Sequence, residues 1–106
     1  MISLAEFQKV ELRVGKILEA TVHPNAERLL VLTVDLGAER RQVVAGIRAF
    51  YQPEQLVGRS VAVVANLEPA LIRGVESQGM MLAATDEQGI VLLTTDRPAT
   101  PGSTIK

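Results

Sequence analysis

Apolar and polar side chains alternate along much of this chain. Leu12, Val14, Lys16, Leu18 and Ala20 fall on one face of an extended backbone, and Arg13, Gly15, Ile17, Glu19 and Thr21 on the other. That period of two predicts a long half-buried strand over residues 10–22. Gly15 within it predicts a bulge or a bend at a barrel corner. His23-Pro24-Asn25 ends the strand in a turn. Residues 29–36 (LLVLTVDL) read as a second, largely buried strand stopped by Gly37, and residues 42–45 as a short third strand before Gly46.

The pattern then changes. Pro53-Glu54-Gln55-Leu56-Val57-Gly58 reads as one helical turn, with proline near its start and glycine just past its end. Residues 60–67 (SVAVVANL) form a buried strand rich in β-branched side chains. Residues 80–85 and 90–95 predict a hairpin around the turn Asp86-Glu87-Gln88-Gly89. Pro98, Pro101 and Gly102 predict an irregular tail. Several short strands with one helix between the third and fourth point to an all-β, OB-fold five-stranded barrel. A β-sandwich is the structural rival, and composition and spacing do not separate the two.

At 106 residues the chain makes one domain, over residues 1–106. The absence of cysteine excludes disulfides, zinc ribbons, iron–sulfur clusters and thiol catalysis. Eleven Lys and Arg against twelve Asp and Glu give a formal charge of -1, so no global field attracts nucleic acid or an anionic membrane. The N-terminal stretch carries Glu6, Lys9, Glu11 and Arg13 and does not read as a signal peptide. Charge-free stretches such as 60–67 and 77–85 fall far short of the roughly 18 apolar residues of a membrane span. A soluble, cytoplasmic protein without membrane association is expected.

Catalytic chemistry finds little footing. His23 is the single histidine and sits in a turn before proline, where it reads as an exposed structural residue. Without cysteine or a second histidine it builds no zinc site, and no serine sits in a G-x-S-x-G setting. Gly74–Gly79 has the outer spacing of a phosphate loop, but Met80 and Met81 follow where Lys and Ser/Thr are needed. Glu76 inside that stretch would repel phosphate. No catalytic residue, cofactor or metal is therefore expected.

Charge is distributed unevenly, however. Arg40, Arg41, Arg48 and Arg59 face only Glu54 within 40–59, which predicts a basic face despite the acidic total. Phe7, Phe50 and Tyr51 are too few for a stacking ladder, so any bound RNA would be held by backbone and shape. Residues 66–80 run from a buried strand into a loop dense in Pro, Gly and polar side chains. Its Asn66, Arg73, Ser77 and Gln78 are suited to hydrogen-bonding a ribose-phosphate backbone.

Four separated blocks carry a resemblance. Phe7-Gln8-Lys9-Val10-Glu11-Leu12-Arg13-Val14-Gly15, His23-Pro24-Asn25-Ala26-Glu27-Arg28-Leu29, Val44-Ala45-Gly46-Ile47 and Arg73-Gly74-Val75-Glu76-Ser77-Gln78-Gly79-Met80 resemble, in order and spacing, the tRNA-binding-domain family. That family includes the C-terminal appendage of bacterial methionyl-tRNA synthetases and free-standing dimeric tRNA-binding proteins. The resemblance implies an OB-fold whose extra C-terminal strands join two subunits into a homodimer. It implies non-catalytic binding of tRNA by shape, at the outer corner of the L, in support of an aminoacyl-tRNA synthetase, most simply the methionyl enzyme. Candidate tRNA contacts carried over are Asn66, Arg73, Ser77 and Met80, with Arg13, Arg28 and Arg48 in or beside matching blocks. The stretch after Asn66-Leu67 departs from the family, because Glu68-Pro69-Ala70-Leu71 stands where basic residues are common. Weaker, salt-sensitive binding follows. A chaperone-like peptide-binding homodimer of the export-associated type and a module for dimerisation alone remain open alternatives.

Overall fold

The long first strand organises the fold, because its two halves pair with different neighbours. In the computed structural model, which describes residues 1–106, β1 (Leu12–Val22) follows a single helical turn, α1 (Leu4–Phe7). β2 (Leu30–Asp35), β3 (Arg40–Ala45), the short helix α2 (Pro53–Leu56) and β4 (Ser60–Val64) come next. A small ribbon of β5 (Ala70–Ile72) and β6 (Val75–Ser77) leads to β7 (Met80–Met81). β8 (Ala83–Asp86) and β9 (Gly89–Leu92) make a second ribbon, and β10 (Thr104–Ile105) closes the chain. The main sheet is antiparallel in the order β3-β2-β1-β4-β7 and curls into a nearly closed, OB-type five-stranded barrel. The helix α2 lies between the third and fourth barrel strands, as the sequence order required.

Leu12–Lys16 pairs with β4, and Lys16–Val22 pairs with β2. The β1–β2 register steps from Ile17↔Val34 to Glu19↔Thr33, leaving Leu18 as the extra residue of a bulge. Strict alternation fails there. Gly15 and Ile17 point inward before the bulge, and Ala20 packs on the core after it. The bulge or bend expected at Gly15 is a bulge at Leu18, and Gly15 serves a different purpose. A β-carbon at Gly15 would stand 2.4 Å from Val34 Cγ1 and 3.0 Å from Val63 Cγ2, so bare backbone is what fits.

Ile17, Leu30, Leu32, Val34, Val43, Leu56, Val61 and Val63 fill the barrel and exclude solvent almost completely. Leu56 arrives from α2 and plugs one end of the core. The C-terminal hairpin docks by Ile90 and Leu92, with Leu92 N–H donating to Tyr51 Oη at 3.1 Å. Its turn is tighter than expected: β8 and β9 pair Asp86 with Gly89, and Met80–Met81 belongs to the barrel rather than to the hairpin.

Three elements differ from the sequence reading. The tail is strapped to β1 through β10 and through Gly102 N–H, which donates to Val14 O at 2.7 Å. Residues 70–77 are a ribbon instead of an open loop. The turn α1 is set by a capping box, with Ser3 Oγ accepting from Glu6 N–H and Glu6 Oε1 accepting from Ser3 N–H.

Gly15→Ala tests the packing argument. It should destabilise the domain by about 1–3 kcal/mol through overpacking. Urea unfolding would show a lower midpoint with an unchanged slope; an unchanged midpoint would contradict the close approach.

Candidate nucleic-acid interface

One end of the barrel gathers three connections: residues 23–29 between β1 and β2, residues 46–52 after β3, and the β5–β6 ribbon after β4. In OB barrels the ligand edge is built from such connections. Here His23 locks them together. It is 3% exposed, so the expected exposed turn histidine is in fact a buried one. Its Nδ1 accepts from Asn25 N–H at 2.9 Å, which leaves Nε2–H to donate to Ile72 O at 3.0 Å. Both bonds require the same tautomer, and together they tie the first connection to the ribbon.

Arg73 and Gly74 form the tip of that ribbon, with φ of 53° and 87°. Two successive positive φ values define a type I′ turn, which favours Asn-Gly over Arg-Gly. An arginine there carries a steric cost of about 1–2 kcal/mol. The strained tip projects the Arg73 guanidinium towards the first connection, 3.5 Å from Asn25 O. Arg28 belongs to the same connection, and Arg48 N–H donates to Arg28 O at 3.3 Å. Arg28, Arg48 and Arg73 are all exposed, and none has a carboxylate partner. Three exposed arginines without a carboxylate partner thus lie in or are tied to the connection 23–29, which also carries the exposed Glu27.

Other candidates are engaged elsewhere. Ser77 is 4% exposed; its hydroxyl accepts from Val44 N–H at 3.0 Å and donates to Gly79 O at 3.1 Å. Asn66 accepts from Glu11 N–H at 2.8 Å and donates to Lys9 O at 2.7 Å, fixing the entry to β1 at the other end of that strand. Arg13 is held by Glu11 and by Gly102 O. Met80 is 47% exposed beside the barrel mouth.

The predicted 40–59 basic face is dispersed. Arg40 opens β3 and Arg48 lies past its far end, so the length of the strand, about 17 Å, stands between them. Arg41 points to the barrel end, bonding Ala65 O, Gln78 O and Glu39. Arg59 lies over the Tyr51 ring, 5.7 Å from its centroid. Arg48 alone of the four joins the interface. His23 was the side chain that sequence reasoning undervalued; its place before Pro24-Asn25 was the available signal.

With this geometry in view, the comparisons place the chain. It belongs to the tRNA-binding-domain family: the family model described as "Putative tRNA binding domain" matches residues 12–104. The chain is 53% identical over 105 residues to a methionine–tRNA ligase of Thermococcus kodakarensis, covering 99% of the chain and 14% of that relative. It is 52% identical over 104 residues to the Thermotoga maritima ligase, covering 98% and 16%. The chain thus spans about a seventh of the length of these curated relatives. Among solved structures, a MetRS-related protein from Pyrococcus horikoshii superposes with a TM-score of 0.93 at 34% identity, covering 100% of this chain and 98% of that one. The chaperone CsaA of Bacillus anthracis superposes with a TM-score of 0.90 at 27% identity, covering 100% and 99%.

The strain at Arg73 is measurable. Arg73→Asn gives the turn its preferred Asn-Gly pair and should stabilise the domain by about 0.5–1 kcal/mol. A thermal melt should then rise by a few degrees. A fall in Tm would show that the arginine's contacts outweigh its backbone cost.

Proposed function

We propose that this domain is a non-catalytic, structure-specific tRNA binder that acts as a homodimer and assists an aminoacyl-tRNA synthetase, the methionyl enzyme in particular. The observation that carries the reading is the trio of unpaired arginines, Arg28, Arg48 and Arg73, around residues 23–29 at the OB ligand edge. Their spacing across three connections suits phosphates on a curved backbone, such as the outer corner of the tRNA L, rather than a line of bases. Phosphate contacts position the RNA without reading its sequence. A binder of modest strength, tethered to an enzyme, converts a second contact into an intramolecular one and raises local tRNA concentration.

Homodimerisation draws support from the second ribbon. The inward side of β8–β9 carries Ile90 and Leu92, while Ala84 and Val91 share the opposite, exposed side. Asp86 shares that side, so the uncovered apolar part is the Ala84–Val91 pair; a two-stranded ribbon is marginal alone and gains from packing against a second copy. Sedimentation velocity at micromolar concentration should report a dimer; a monomer would remove this part of the proposal.

The salt dependence of tRNA binding tests the main reading. Between about 50 and 200 mM salt, log affinity should fall against log salt with a slope of about -2 to -3 for three phosphates. Arg28→Ala, Arg48→Ala and Arg73→Ala should each weaken binding and lower that slope by about 1. Arg13→Ala should lower stability and leave the slope alone. No retention of tRNA at the low-salt end would sink the proposal.

A second reading, chaperone-like peptide binding, is favoured by the likeness to the chaperone CsaA structure. It predicts that unfolded polypeptide competes with tRNA, whereas the main reading predicts no competition.

A further inference from the structure

His23 closes a hydrogen-bonded cycle around the ribbon tip. Its Nδ1 accepts from Asn25 N–H at 2.9 Å, and its Nε2–H donates to Ile72 O at 3.0 Å. Ile72 is followed in the chain by Arg73, whose Nη2 stands 3.5 Å from Asn25 O. The cycle therefore runs from His23 to Asn25, Arg73, Ile72 and back. Arg73 has no ion pair and no other side-chain hydrogen bond, so the Asn25 carbonyl is what aims it. Both ring bonds belong to the neutral ring with its proton on Nε2. In the imidazolium form Nδ1 also carries a proton and would meet Asn25 N–H donor against donor. At 3% exposure, solvent does not replace the bond so lost. Charged groups on the surrounding elements are Glu19 near the end of β1, Glu27 and Arg28 in the connection, Arg73 and Glu76 on the ribbon, and Arg48 after β3. None forms an ion pair with the ring, and Glu76 already accepts from Gln78 Nε2 at 2.9 Å.

We propose that His23 is the positioning residue for Arg73, and that acidification loosens bound tRNA by protonating the ring and releasing Asn25. The proposal rests on the tRNA-binding reading and adds a control to it. Its sign sets it apart. Protonation adds positive charge, and charge alone would tighten binding to an anionic chain as pH falls. A latch that needs the neutral ring does the reverse. Histidine is the side chain that ordinarily changes charge between about pH 5 and 8, and this chain has one. The ring touches no surface that tRNA could reach, so its effect on binding passes through Asn25 to the guanidinium.

The test uses the full chain and a transcribed methionine tRNA at constant ionic strength. From about pH 8 to about pH 5.5, affinity should fall about threefold or more, and the salt slope should drop by about 1 as the Arg73 contact is lost. His23→Gln keeps an amide donor for Ile72 O but lacks both the Nδ1 acceptor and a titrating proton. It should bind at every pH about as the parent does at the acid end. Arg73→Ala, on the exposed tip, should also give a flat profile, because acidification then has no guanidinium to release. Nitrogen NMR of the parent ring should place its proton on Nε2 at the alkaline end. A flat or tightening parent profile would overturn the inference while tRNA binding stands. So would a ring proton on Nδ1, or an acid-induced fall that persists in His23→Gln or Arg73→Ala. Global unfolding of the parent at the acid end, read from a thermal melt, would assign the loss to stability and overturn it as well. If the parent retains no tRNA at any pH, the tRNA reading and this inference fall together.

Discussion

Where β3 and β7 should meet, side chains supplement a single backbone bond. Gln78 N–H donates to Gln42 O at 2.7 Å, and Gln42 N–H donates to Gln78 Oε1 at 3.0 Å. Ser77 Oγ takes the next donor on β3, Val44 N–H, and Arg41 reaches across to Ala65 O and Gln78 O. A sheet of five strands has two edges, and buried edge groups left unpaired cost about 1–3 kcal/mol each. This seam satisfies the groups at Gln42, Val44, Ala65 and Gln78, and no buried side-chain polar atom lacks a partner. The seam fixes where the segment 65–79 leaves and rejoins the barrel. It therefore also fixes where the ribbon tip carrying Arg73 can stand.

That constraint divides the family motif into two kinds of residue. Ser77, Gln78 and Asn66 hold backbone, and His23 fastens the ribbon to the first connection. Arg28, Arg48 and Arg73 are exposed and have no carboxylate partner. Motif identity alone does not separate these roles, because a side chain that builds the site recurs as faithfully as one that touches the ligand. Burial and hydrogen-bond partners do separate them. Ser77, which looked suited to a ribose contact as a sequence, has both its donor and its acceptor used inside the protein.

How much was legible follows from what each pattern encodes. The period of two placed the first barrel strand, apolar runs bounded by glycine and rich in β-branched residues placed the next three, and proline with glycine placed α2 within a residue or two. The bulge at Leu18 was invisible, since apolar residues on both sides of it suit either register. The β5–β6 ribbon hid because Arg73-Gly74 is a poor match to the usual Asn-Gly turn. The turn α1 was not read from the sequence, because one turn is too short to show periodicity. The basic face between Arg40 and Arg59 dissolved for a geometric reason. Neighbouring residues on a strand point to opposite faces, so a run of like charge in sequence is not a patch in space.

The strained turn at Arg73 connects stability to function. Positive φ at a bulky residue persists where the surroundings overdetermine it, and such residues concentrate at binding sites. Here β5–β6 pairing, the glycine that follows and the His23 bond to Ile72 hold the turn from three sides. An asparagine would suit the turn better but would end short of where the guanidinium reaches. The neighbouring Glu68, Ala70 and Leu71 are exposed and offer no positive charge in compensation, Glu68 adding a negative one. With basic residues missing from that stretch, the tip arginine carries a larger share of the local positive field than it would in a lysine-rich relative. Asp86, Glu87 and Asp96 belong to the second ribbon and the tail, so the acids that oppose Arg28, Arg48 and Arg73 on their own connections are Glu27 and Glu76.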